Sequence, residues 1–192
     1  MKVYQIQISL TNSKPEIWRK ILVQPNLSLA NFHMTIQIVM GWDNSHLHQF
    51  IKNKTFYTRK MEDDMTWGDL NNVDYKGLKI SDLLKNENDK IDYEYDFGDS
   101  WHHDIDLEKI LETIEKTKYP TCIDGKLACP PEDCGGIWGY SDLLKVLNNP
   151  GHKDYADLLD WLDGEFDPNY FNIEKTNLNL KRFIKLKKLY SS

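Results

Sequence analysis

The stretch Ile91–Leu107, IDYEYDFGDSWHHDIDL, constrains the fold of this chain more than any other. Its residues alternate with period two, the signature of a strand with two different faces. Ile91, Tyr93, Tyr95 and Phe97 point one way; Asp92, Glu94 and Asp96 point the other. Beyond Gly98-Asp99-Ser100, Trp101, His103, Ile105 and Leu107 alternate with His102, Asp104 and Asp106. A two-residue loop would set Asp96 opposite Trp101 and mix the faces. A three-residue loop pairs Phe97 with Trp101, Tyr95 with His103 and Ile91 with Leu107, and since a one-residue slip inverts every side chain, it is the preferred register. The spacing therefore predicts a hairpin with an aromatic face holding His103 and an acidic face around His102. In that register Asp92 opposes Asp106 and Glu94 opposes Asp104. Like charges so placed repel, so this face belongs in water.

The rest of the chain supplies partners for the hairpin. Tyr4, Ile6, Ile8 and Leu10 alternate with polar residues, a turn follows at Asn12–Pro15, and residues 17–23 read as a second, antiparallel strand. Ser28 caps a helix whose Leu29, Phe32, His33, Ile36, Val39 and Met40 recur at spacings of three and four, with Gly41 as its stop. His33 lies on that apolar stripe and reads as a structural histidine. Residues 46–51 form a strand that turns at Asn53-Lys54 into Thr55–Tyr57. Residues 60–80 are loop-like, and Ser81 caps a short turn over 82–85. Tyr119–Tyr140 gathers three prolines, four glycines and three cysteines in 22 residues, which predicts an irregular loop of the functional or cross-linked kind. Helices follow at 142–147, capped by Ser141, at 154–162 and at 173–189. The expected fold is a single α+β domain over residues 1–192. It has an antiparallel sheet of about five to six strands with one long early helix (1–118), the irregular loop (119–140) and a C-terminal helical layer (141–190).

At 192 residues, with 40% hydrophobic and 12% aromatic content, the chain can bury one sizeable core. The alternating N-terminus is a strand and not a signal peptide, and no stretch reaches the roughly 18 apolar residues of a membrane span. Three cysteines without an export signal suggest reduced thiols in a cytoplasm. The net charge of −6 divides into +6 over residues 1–60, −17 over 61–172 and +5 over 173–192. The basic C-terminal helix, with Lys181, Arg182, Lys185, Lys187 and Lys188, is a solvated face or a phosphate contact, the latter weakening steeply with salt.

Two sets of residues suit a metal. Cys122, Cys129 and Cys134, with a histidine such as His48 or His103, offer the thiolate and imidazole donors that zinc prefers, although C-x6-C-x4-C lacks the usual C-x2-C knuckle. Alternatively His46, His48 and His103 with Asp96, Asp99, Glu132 and Asp133 make a nitrogen- and oxygen-rich set of the kind hydrolases and nucleases use. Glycines at 98, 135, 136 and 139 would let two loops approach closely. The opposing reading gives Asp99 to the turn and Glu132-Asp133 to loop geometry. Asp96-Phe97-Gly98 spells a kinase motif without the kinase's other parts, and no Walker loop or nucleophile elbow occurs.

Four blocks in order resemble the plasmid pRiA4b ORF-3-like family: I-W-R-K-I, M-G-W-D-N-S-H-L-H-Q-F, Y-D-F-G-D-S-W-H-H and P-P-E-D-C-G-G-I-W-G-Y. F-D-P-N-Y-F near the end resembles it too. The resemblance implies a compact α+β fold and a setting near plasmid or transposon genes, and it favours His103 over His102 as the motif histidine. It brings no established chemistry. Two readings stay open. One is an intracellular binding or accessory module, zinc-stabilised, working with a protein or nucleic-acid partner. The other is a metal-dependent hydrolase or nuclease built on His46, His48, Asp99, His103, Glu132 and Asp133.

Overall fold

The structure, a computed structural model, describes residues 1–60, 71–115, 117–164 and 166–190, with side chains up to Leu186. Strands β1 (Lys2–Leu10) and β2 (Trp18–Val23) pair antiparallel with Ile6 opposite Ile21, as their alternation predicts. Ser13 closes the turn between them: its hydroxyl donates to the Leu10 carbonyl and accepts the Ile17 N–H. Helix α1 (Leu29–Met40) starts where Ser28 Oγ accepts the Asn31 N–H and stops at Gly41, whose φ of 101° only glycine adopts readily. Strands β3 (His48–Lys52) and β4 (Thr55–Thr58) turn at Asn53-Lys54, both at positive φ. Then come β5 (Asn72–Asp74), the single turn α2 (Ile80–Leu83), β6 (Lys90–Tyr95), β7 (Trp101–Glu112) and β8 (Thr121–Lys126). Helices α3 (Gly136–Leu147), α4 (Tyr155–Trp161) and α5 (Ile173–Tyr190) complete the chain.

The expected sheet of five to six antiparallel strands is corrected: eight strands run in the order β5-β4-β3-β6-β7-β1-β2-β8, and β5 lies parallel to β4. Both unforeseen strands are edges. Three-residue β5 is too short to show alternation. β8 lies inside the Pro/Gly/Cys-rich stretch expected to be irregular, held by backbone pairing to β2 with Cys122 opposite Ile21. The long early helix is corrected too. α1 has twelve residues, the same as α3 and fewer than the eighteen of α5. α3 starts five residues before Ser141. Its first turn is glycine-rich because there is no room: a Cβ on Gly139 would lie 1.9 Å from the Cys134 carbonyl oxygen.

The hairpin's faces are as predicted, but its register differs by two residues. Tyr95 lies opposite Trp101, Tyr93 opposite His103 and Ile91 opposite Ile105, so the loop is Asp96–Ser100, five residues long. A slip of two keeps each side chain on its face, so pattern alone does not distinguish the registers. The new pairing relieves most of the acidic face. Lys90 Nζ meets Asp106 at 2.7 Å, His102 lies 3.5 Å from Glu94, and Lys20 reaches Glu108 at 2.9 Å. Asp92 again faces an acid, now Asp104, and burial followed by that repulsion raises its pKa. Phe97, expected on the aromatic face, is exposed in the loop. The other face is packed under α1, with Phe32, Ile36, Phe50, Tyr93 and Trp101 in one core, and α5 lies against α1 and β8. Among the described residues no helix is long and apolar enough to cross a membrane.

Candidate metal centre

Three loops meet at the end of the β6–β7 hairpin. In the first, Asp96 takes a left-handed conformation (φ 57°), its carbonyl accepts the Ser100 N–H and its Oδ1 accepts the Gly98 N–H at 2.9 Å. Aspartate tolerates that geometry because its short side chain bonds the backbone two residues on. Oδ1 is thereby engaged, and Oδ2 faces His46 Nδ1 at 3.6 Å. The second loop, residues 41–47, carries His46 and is tied to the first where the Asp96 N–H donates to the Leu47 carbonyl. The third, residues 129–135, places Asp133, also left-handed (φ 59°), with Oδ1 3.3 Å from His46 Nε2. One donor atom from each of His46, Asp96 and Asp133 falls within 4.8 Å of the others. This is the only such group of three or more His, Cys, Asp or Glu among the described residues. The His46 and Asp96 side chains are mostly covered, at 27% and 11% exposure, while Asp133 stands at 71%.

The remaining polar groups of these loops fix their positions. Glu132 Oε1 accepts the Tyr95 hydroxyl at 2.5 Å and the Asp43 N–H at 3.3 Å, joining loops two and three. The same Tyr95 oxygen accepts the Ser45 N–H. Burial, then the bond to Glu132, raises the Tyr95 pKa, so the phenol stays a donor. Asp99 Oδ2 accepts the Gly135 N–H, and Trp42 Nε1 donates to the Pro130 carbonyl. Of the seven carboxylate and histidine candidates, then, His46, Asp96 and Asp133 converge, while Asp99 and Glu132 brace them.

His48 and His103 point into the core. The His48 ring stacks on His33 with centroids 3.4 Å apart and planes 3° from parallel, and its Nε2 bonds the Tyr75 hydroxyl. His33 Nε2 meets Asn44 Oδ1 at 2.5 Å, an acceptor, so Nε2 carries the proton and Nδ1 accepts from Tyr93. The Tyr93 oxygen in turn accepts from Gln37 Nε2. Burial lowers the His33 pKa to about 4, and burial followed by the neighbouring His33 lowers that of His48 to about 3. His33 is structural, as its place on the stripe predicts, and its partners are two side chains, the Asn44 amide oxygen and the Tyr93 hydroxyl. His103 is wholly buried, with Nδ1 bonded to the Trp101 carbonyl and its ring edge-on to Trp42. Burial takes its pKa down to about 3.

The structure does not gather the three cysteines with His48 or His103. Cys122 is buried on β8, its thiol bonded to the Asp124 carbonyl. Burial pushes Cys122 up to about 11, Cys134 up to about 12 and Cys129 higher still, with Arg19 opposing the shift at Cys122 and Cys129. All three are free thiols. On α5, Lys181, Arg182 and Lys185 are exposed; the side chains of Lys187 and Lys188 lie outside the described residues. Sequence reasoning missed Tyr95 as a support of the site and Asn44 as the partner of His33. Asn44 was open to notice, as asparagine favours the left-handed turn (φ 61°) it makes after α1.

The family described as plasmid pRiA4b ORF-3-like protein matches residues 2–175, nearly the whole chain and all three loops. The chain belongs to that family. Lys181–Lys188 lie beyond the matched residues. An uncharacterized protein, y4hQ of Sinorhizobium fredii, is 30% identical over 177 residues, covering 91% of this chain and 89% of its own. The crystal structure of a protein of unknown function, MM3350 of Methanosarcina mazei Go1, is 39% identical and superposes with a TM-score of 0.78. That match covers 90% of this chain and 96% of that one.

Proposed function

We propose that this pRiA4b ORF-3-like chain is a divalent-cation-binding module, with His46, Asp96 and Asp133 as ligands. The observation that carries the reading is the convergence of one imidazole and two carboxylates, from three different loops, within 4.8 Å. Imidazole with carboxylate suits zinc among the common cations, with bonds of about 2.0–2.2 Å. Asp99, Glu132 and Tyr95 then act as supports that orient the ligand loops. Such an ion would tie the hairpin to the loops on either side, which is the stabilising role the sequence suggested for zinc, moved from the cysteines to the carboxylates.

A second reading, metal-assisted hydrolysis, draws on one further observation. Three protein ligands, one of them largely exposed, leave coordination positions for water, as catalytic zinc sites do. The family's name is in keeping with an accessory role in plasmid functions, and three free thiols suit a reducing cytoplasm. The test is metal analysis of protein purified without chelator, followed by thermal denaturation with zinc, manganese or chelator. We expect about one ion per chain and a melting temperature that falls on chelation, with both effects lost in His46→Ala and Asp96→Asn. No bound metal, together with no shift on adding any of the ions, would end both readings.

A further inference from the structure

Between two of the metal loops (41–47 and 129–135) and the end of α4 lies a cleft of about 470 Å³. Its walls include Trp42, Pro130, Trp161 and Phe166, and its polar rim is Asp43 and Glu132. No described lining residue is Lys, Arg or His. Trp161 is 49% exposed, a large aromatic face left in water at the end of α4. The charge extends well past the cleft. Residues 154–167 hold six acids and no lysine or arginine, and Asp154, Asp157, Asp160, Asp163 and Asp167 are all exposed. From this combination we infer that the cleft is a docking groove for a lysine- or arginine-rich segment of a partner protein.

The chemistry follows from what lines the groove. Aromatic faces attract ammonium and guanidinium groups through their quadrupoles, and aliphatic stems of lysine and arginine cover apolar walls while their heads stay at the carboxylate rim. A nucleic acid or other polyanion meets only repulsion here. The row of acids along α4 selects an extended cationic segment over a single small cation, because most of the charge lies outside the cavity. Electrostatic complementarity of this kind steers encounter and weakens with salt. The cleft shares two loops with the metal reading, since residues 41–43 and 129–132 line it, but none of His46, Asp96 and Asp133 does, so the groove uses side chains other than the proposed ligands.

The experiment is a fluorescence-anisotropy titration of the full chain into labelled octalysine at low ionic strength. The titration is run both with chelator and on protein as purified without it, so that an effect of metal on the loops is separated from binding at the groove. Octaglutamate serves as the control. The expected result is saturable binding of octalysine alone, lost on adding salt. Trp161→Ala and Asp43→Asn should each weaken it roughly threefold or more, the scale of one exposed cation–π or ion-pair contact, without lowering the melting temperature. Asp43→Asn guards against local loss of α4 in the tryptophan variant. The inference is overturned by no binding, by affinity unchanged in both variants, or by tetramethylammonium displacing the peptide mole for mole, which would make the site a small-cation cage.

Discussion

The three core histidines make acid stability a direct test of the buried polar network. His33, His48 and His103 are held neutral, with pKa values near 4, 3 and 3 against an ordinary value of 6.5. Their folded pKa values are depressed, so below pH 6.5 the unfolded chain takes up protons that the folded chain refuses. Stability is therefore fully present above pH 6.5 and is lost as the pH falls toward 4 and then 3. Between pH 7 and pH 5 each imidazole that stays neutral costs about 1.9 kcal/mol, and three cost about 5–6 kcal/mol. That is comparable to the whole stability of many domains, so the protein should be marginal at pH 5. Urea unfolding at both pH values, at constant ionic strength and with chelator to remove any metal effect, measures the difference. His48→Gln gives the sharper reading. Whatever its effect at pH 7, it should reduce the pH-dependent loss by about 1.9 kcal/mol, because one titrating group is gone. Stability at pH 5 within about 1 kcal/mol of that at pH 7, with the same pH dependence in His48→Gln, would refute the reasoning.

Two further outcomes concern the scaffold that holds the loops. Gly139→Ala should destabilise by about 2–3 kcal/mol or prevent folding, because its Cβ would meet a backbone carbonyl that has no room to move; urea unfolding midpoints check this. Arg19 is 2% exposed, donates to the carbonyls of Trp18, Val39, Lys126 and Leu127 and lies 4.1 Å from the Phe171 ring centroid, so Arg19→Met should cost about 3 kcal/mol or more through orphaned carbonyls. Arg19→Lys should recover little of that in the same measurement, since an ammonium cannot span four carbonyls.

What the sequence made legible is what local physics decides. Ser28 and Gly41 bound α1 to the residue because a cap and a left-handed stop act on the backbone beside them. The two faces of the hairpin were readable because period two is a property of one strand. The register was not, because it belongs to a pair. A shift of two leaves every face intact, and the choice was made by ties remote in sequence, such as the Leu47 carbonyl that accepts the Asp96 N–H. β8 was hidden for the same reason: its Asp124 and Gly125 argue against a strand, and pairing to the edge of β2 overrules them. The candidate site shows the same division. His46, Asp96 and Asp133 are 37 or more residues apart along the chain; the pattern put His46 and Asp96 in strands and only Asp133 in a loop, whereas Asp96 and Asp133 both sit at positive φ in turns. The left-handed turns bring their carboxylates within reach of His46. The conspicuous histidines instead went inward: on a strand that alternates around buried Phe50, His48 is half-buried and stacked on His33, and His103 lies between Trp101 and Ile105, wholly buried. A histidine flanked at period two by buried aromatics is thus a core residue first. The histidine to follow for chemistry was His46, which stands outside the strand and keeps part of its ring at the surface.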